Sequence, residues 1–389
     1  MLMHRPARLI ARVGSPTPLC HAAPIHSWNA KKPTLVYKDT PSNASLLRQC
    51  PSLSVESYAP TWYLVNGFMH TIKSVRGSRN PKVHYERQLF HMSDGGLVSV
   101  DWTDAIPQDA SNRPTLLIHP GAGGSSRDAY VRETATAMAA HGWRVAAFNA
   151  RGCGNTPFTT ARPPDGGFTQ DVREVIAHMR ANVVASAPLV AVGFSIGANL
   201  VVKYAGEEGA ACPLTAVVSV SNPYDVAAVV QSMHMSFMRR KLLGETTAKA
   251  MLRQFFKNPK NVAAFASSPL YDLESLRQAK TSREVDDRLS RIPGGYATVD
   301  EYYNAISSAP YLNHVHVPHL SISALDDPLT TLVEIPTTPF RQQDQRILAL
   351  THTGGHLGFY TNNDGPKGGA PTMWTTRVIQ EYCAAVIAT

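Results

Sequence analysis

The sequence predicts an α/β domain, a mostly parallel sheet covered by helices on both faces, with a helical cap inserted between strands six and seven. Three observations predict it. Short apolar runs alternate with helical stretches from residue 115 to residue 220. One of those runs ends in Gly193-Phe194-Ser195-Ile196-Gly197, a strand-to-helix turn pattern. The strand rhythm then stops over about residues 224–312 and resumes near residue 320.

Each element follows from its pattern. Up to about Leu53 the chain lacks sustained periodicity, so residues 1–53 are expected to be a poorly ordered extension and 54–389 the folded domain. Alternation begins over 83–90, and the turn Ser93-Asp94-Gly95-Gly96 leads into 97–102, which reads as an antiparallel hairpin. Apolar strands follow at 115–118, 144–148, 188–192 and 214–220, with helices expected around 129–140, 170–182 and 198–205. Continuous apolar strands separated by helices mean a parallel sheet buried on both faces. Two more strands fall at 320–324 and 346–350, and a helix over 372–387 closes the chain. In the cap, Met233, Met235, Phe237, Met238, Leu242, Leu243, Met251, Phe255 and Phe256 recur at helical spacings. Most are expected to pack the cap's own core, and some to line an acyl pocket.

Composition sets the outer limits. The chain has 389 residues and a net charge of +8. Its first 38 residues carry six basic side chains, among them Arg5, Arg8 and Arg12, and no acid. Without them 31 basic residues face 29 acidic ones, so no nucleic-acid surface is indicated. The acid-free leader resembles a mitochondrial transit peptide, although Pro6, Pro16 and Pro18 interrupt a long amphipathic helix. The expected location is intracellular, mitochondrial or cytoplasmic. No run of eighteen apolar residues suggests a transmembrane helix, leaving transient contact with a membrane surface open. The five cysteines form no CxxC pair and read as reduced thiols. No cofactor or metal motif stands out.

The chemistry centres on Ser195. A serine hydroxyl is a weak nucleophile and needs a histidine base, itself oriented by a carboxylate. In a fold of this kind the chain order is Ser, then Asp or Glu, then His. Asp326-Asp327-Pro328 follows one late strand, and His356, in Gly354-Gly355-His356-Leu357-Gly358, follows the next. Strand C-terminal ends are where open α/β sheets bind ligands. Asp327 is the preferred acid, with Asp326 as the alternative. The N–H of Ile196 and one from His119-Pro120-Gly121-Ala122-Gly123-Gly124 are the expected oxyanion donors; Pro120 has no N–H, so Gly121 is chosen. The same glycines fail the phosphate-loop pattern, having no following lysine.

With these pieces in place, the chain resembles the α/β-hydrolase group called AB hydrolase family four, the abhydrolase-domain esterases and lipases related to YheT-like hydrolases. The resemblance runs over about residues 60–382. It rests on Trp62, Asn66-Gly67 and Thr71-Ile72; Tyr85-Glu86-Arg87; Asp94-Gly95-Gly96 and Asp101-Trp102; Asn149-Ala150-Arg151-Gly152-Cys153-Gly154; and Thr169-Gln170-Asp171-Val172-Arg173. The Ser195, Asp326-Asp327, His356 and Tyr302-Tyr303 segments match as well. Two departures are His119-Pro120, where the family has His-Gly, and Val285-Asp286-Asp287, where it has Phe-Asp-Asp. The resemblance implies nucleophile Ser195, an acid in the Asp326-Asp327 pair and base His356. It also implies acylglycerols, phospholipids or short- to medium-chain acyl esters as substrates. The alternatives are an alcohol O-acyltransferase using the same acyl-enzyme, and a non-catalytic binding protein on a hydrolase fold. Oligomeric state is not legible.

Overall fold

The computed structural model describes residues 30–77, 81–105, 112–257, 259–330, 335–362 and 370–388. The basic leader over residues 1–29 lies outside them. Nine strands form one sheet: β1 (Thr34–Tyr37), β2 (Glu86–His91), β3 (Leu97–Trp102), β4 (Thr115–His119), β5 (Arg144–Asn149), β6 (Leu189–Phe194), β7 (Ala216–Val220), β8 (His319–Ala324) and β9 (Arg346–Thr351). Their order is β1-β9-β8-β7-β6-β4-β5-β3-β2. Neighbours from β5 through β9 pair in parallel, whereas β2 and β3 at one edge and β1 at the other run antiparallel.

Side-chain alternation explains the layers. Leu116, Ile118, Val190, Val192 and Phe194 enter the core on one sheet face, under helices Ala129–Ala140 and Trp374–Ala388. Leu117, Leu189 and Ala191 enter the core on the other, under Gln170–Met179 and Ile196–Glu208. Every residue of β6 is buried. Each large apolar side chain removed from water there contributes about 1.5–3 kcal/mol, so a charge placed on Val192 would break the strand.

The expectation of an irregular chain up to residue 53 is corrected from residue 30 onward. Thr34–Tyr37 pairs with β9, and helices Pro41–Arg48 and Pro51–Ser54 follow. A four-residue edge strand carries too little pattern to be read. Each helix begins with a proline in its first turn, where the missing N–H is no loss. Ser52 Oγ donates to Glu381 Oε1 (2.6 Å), tying this segment to the closing helix.

The helical insertion lies between β7 and β8 and runs from Val226–His234 through Glu245–Lys257, Pro259–Ala266 and Val299–Ile306 to Ala309–His314. Counted without the edge strand that the pattern did not reveal, those are strands six and seven. Its core is aromatic, with Phe265 set against Phe255 (4.9 Å), Tyr271 (4.9 Å) and Phe158 (5.1 Å between centroids). Seven of the apolar residues singled out by spacing divide three ways; Leu243 is half-buried, and the side chain of Met238 lies outside what the structure describes. Met251, Phe255 and Phe256 pack this core, and Met233 joins Met251 and Phe255 at a cavity wall. Met235, Phe237 and Leu242 face solvent, where neither expected role places them.

Several segments that carried the resemblance meet in buried ion networks. Arg151, 2% exposed, bonds both oxygens of Asp171 (Nε 2.7 Å) and both of Asp94 (2.8 Å each). Burial alone would lower the guanidinium's pKa, and the bonds to Asp171 and Asp94 overturn that and raise it. Arg87 makes a bidentate pair with Asp101, which also accepts from Asn149 and Ser126. These bonds outweigh burial and hold the Asp101 carboxyl below its usual range.

Candidate active site

Ser195 stands at the tip of β6 with φ 54° and ψ −123°, a region that residues with a Cβ rarely adopt. Its N–H donates to Val220 O (2.9 Å), and its carbonyl accepts from Ala198 N (2.8 Å). The flanking glycines are steric necessities. A Cβ on Gly193 would lie 2.4 Å from the Ala198 Cα, and one on Gly197 would lie 2.2 Å from Pro120 O. The turn therefore presses the start of helix Ile196–Glu208 against the loop after β4.

Three predicted residues come together. Ser195 Oγ donates to His356 Nε2 (2.7 Å), and His356 Nδ1 donates to Asp327 Oδ2 (2.9 Å). A carboxylate only accepts, so the ring proton sits on Nδ1 and leaves Nε2 as the acceptor for the serine. Asp327 Oδ1 accepts from Leu329 N (2.8 Å) and Thr330 N (3.1 Å), which fixes the carboxylate. His356 and Asp327 are both buried, and Ser195 opens onto the cavity.

Asp326 has a separate task. It accepts from Gly355 N (3.0 Å) and from Thr353 Oγ1, binding the loop that carries His356. On the other side of that loop, His356 N donates to Thr71 Oγ1 (2.8 Å) and Ser74 Oγ donates to His356 O (3.1 Å). Neighbouring aspartates thus divide the work, one holding the imidazole and the other the backbone beneath it. Thr71 and Ser74 were not among the predicted site residues, although Thr71-Ile72 belonged to the resemblance. Nothing in their spacing points to residue 356.

The two predicted oxyanion donors differ. Ile196 opens its helix, where no intrahelical acceptor exists for its N–H. Gly121 is a correction: its N–H donates to Tyr130 Oη (3.0 Å), which donates onward to Asp128 Oδ2 (3.1 Å). The loop is a turn closed by Gly124 N donating to Gly121 O (2.9 Å), with Gly123 at φ +65°. Such a turn leaves the amide of its second residue, Ala122, without a bond inside the turn. His119 is stacked on Phe148, and burial lowers its pKa to about 4, so it stays neutral.

A cavity of about 280 Å³ opens in front of Ser195. Val230, Met233, Met251 and Phe255 line it with apolar surface, whereas Asp165 and Asp286 bring carboxyls to it. Burial pushes Asp286 up to about 6 despite bonds from Ser290 Oγ (2.7 Å) and Tyr303 Oη (2.8 Å).

A serine on a tight strand-to-helix turn, bonded to a histidine after β9 that is held in turn by a carboxylate after β8, defines the α/β-hydrolase class of site. Comparison with known proteins agrees. Residues 114–362 match the alpha/beta hydrolase fold family, and the chain belongs to it. It is 32% identical over 311 residues to the embryogenesis-associated protein EMB8 of Picea glauca, covering 78% of this chain and 66% of that one. It is 31% identical to phospholipase ABHD3 of Homo sapiens, covering 85% of this chain and 80% of that one. Monoacylglycerol lipase ABHD2 of Danio rerio is 28% identical, with 93% and 86% covered. These relatives group the chain with the abhydrolase-domain proteins.

Proposed function

We propose that this protein is a serine hydrolase of carboxylic esters, with Ser195 as nucleophile, His356 as general base and acid, and Asp327 as the orienting carboxylate. The observation that carries this reading is the unbroken bond chain Ser195 Oγ, His356 Nε2, His356 Nδ1, Asp327 Oδ2. His356 takes the Ser195 proton as Oγ attacks the ester carbonyl. The Ile196 N–H and, in place of Gly121, the Ala122 N–H stabilise the oxyanion. The tetrahedral intermediate collapses, His356 protonates the departing alcohol, and an acyl-Ser195 ester remains. Water deprotonated by His356 then attacks that ester, and the acid leaves.

The apolar wall of Val230, Met233, Met251 and Phe255 supports an acyl chain as the bound part. The names of the ABHD3 and ABHD2 relatives support phospholipid or acylglycerol esters as the substrate class. A fluorophosphonate probe tests the assignment. It should label the wild type and leave Ser195→Ala unlabelled, and the variant should lose at least about 10³-fold in ester hydrolysis. Labelling that survives in Ser195→Ala overturns the reading. Esters of graded acyl length, assayed with an alcohol present, should yield mainly free acid rather than a new ester.

A further inference from the structure

Helix Gly67–Arg76 is amphipathic in the wrong sense. Its inward face carries His70, Thr71 and Ser74, with His70 and Ser74 buried, and this face holds the His356 loop. Its outward face carries Phe68, Met69, Ile72 and Val75, spaced along one stripe and all exposed, Val75 by 85%. Trp62 and Val65, just ahead of the helix, are exposed as well. A surface helix ordinarily buries its apolar stripe, and a large exposed patch marks a contact surface.

The second patch is a part of the cap that neither its core nor the cavity absorbs. Met235 is 78% exposed and Phe237 63%, with Leu242 close behind in sequence. Both patches lie against one segment, the one that supplies Asp327. Gly67 packs on Asp326, close enough that a Cβ would lie 1.9 Å from its carbonyl oxygen. Arg239 Nη2 donates to Pro328 O (2.9 Å). Leu325, at the start of the same segment, is exposed too. Leu329 and Thr330, at the end of that segment, line the cavity.

Charge identifies the occupant. Residues 57–85 contain no acid, and neither do residues 226–244. Arg240 and Lys241 are exposed beside Phe237, with the Lys241 ammonium 5.0 Å from its ring centre. Asp326, in the segment between the two stretches, has its carboxylate taken up by Thr353 Oγ1 and Gly355 N. Exposed aromatic and aliphatic side chains mixed with cations, on stretches free of acids, suit a bilayer interface with anionic headgroups. We propose that these two patches together dock the protein on a membrane surface carrying anionic phospholipid, with the Asp327 segment and the cavity mouth against the lipid. This rests on the ester-hydrolase reading for its purpose and adds how an acyl chain reaches the cavity without crossing water.

Co-flotation with vesicles tests it, using phosphatidylcholine alone and phosphatidylcholine mixed with phosphatidylserine. The wild type should partition at least about tenfold more strongly onto the mixed vesicles. A triple variant, Phe68→Ser with Ile72→Ser and Val75→Ser, should lower that partition about tenfold, as should Met235→Ser with Phe237→Ser. Arg240→Glu with Lys241→Glu should abolish the preference for phosphatidylserine. All three variants should hydrolyse a soluble short-chain ester within about twofold of wild type, because none of these residues touches the reacting atoms. Partition unchanged by both apolar variants overturns the proposal. So does a wild-type dimer that binds no vesicle and that the triple variant dissociates, since the patch would then join two copies. A wild type that floats with vesicles yet cleaves no ester leaves docking intact and removes the hydrolase reading instead.

Discussion

The cavity in front of Ser195 is bounded by two regions built in different ways. On the sheet side, strand ends hold each group through several bonds: Asp327 by two backbone amides and a ring, and His356 by Thr71, Ser74 and Asp327. On the cap side, the wall is methionine, phenylalanine and valine from helices, with the Asp286 carboxyl set among them, and Asp165 reaches the cavity from the loop after β5. Directional bonds fix atoms to fractions of an ångström, whereas apolar packing fixes volume and tolerates exchange. The first region suits a reaction that needs one geometry; the second suits a choice among acyl groups.

Three substitutions probe that contrast. The largest effect should come from Asp327→Asn, which keeps the shape but turns the ring to the wrong tautomer. A loss of about 10³–10⁴ in kcat with little change in KM is expected from steady-state assays. A loss below tenfold would mean the carboxylate does not orient His356. Next comes Arg151→Met, in the loop just after β5. It strands the buried Asp171 without its partner, whereas Asp94 is solvated and keeps Arg162 (3.7 Å), and should cost roughly 3 kcal/mol in urea unfolding. A loss under about 1 kcal/mol would class the network with ordinary surface pairs.

The smallest effect belongs to the cap. Asp286 is raised from 3.8 to about 6 by burial, so the folded chain disfavours its ionised form. Its contribution is fully present below about pH 3.8 and is lost as pH rises through about 6. Asp286→Asn has no such loss. The variant should match wild type in melting temperature at pH 4 and exceed it near pH 7, by an amount equivalent to about 3 kcal/mol. A variant melting below wild type at pH 7 would show that the ionised carboxylate is wanted there.

Legibility in the sequence follows the same division. Ser195, Asp327 and His356 were readable because each lies just past an apolar strand, in a chain order the fold imposes. The parallel sheet was readable because strands buried on both faces leave no polar alternation. The partner of the Gly121 amide is not legible, because it is Tyr130, nine residues on, and no local pattern announces a phenol turning back toward the loop. Thr71 and Ser74 reach His356 across more than 280 positions, beyond any spacing rule. β1 was missed because four residues at an edge show no period. Met235, Phe237 and Leu242 looked like core because helical periodicity reports a face and not what covers it.

That edge strand has one more consequence. With β1 in place, the main chain of β9 is paired on both sides, by β8 and by Thr34–Tyr37. Take residues 30–40 away and β9 presents a bare row of amides and carbonyls along a strand that is apolar through Ile347, Leu348, Ala349 and Leu350. Such a row is a template for another chain. The four residues of β1 thus replace a six-residue apolar edge with a shorter one, and their loss is expected to show as turbidity before it shows as lost activity.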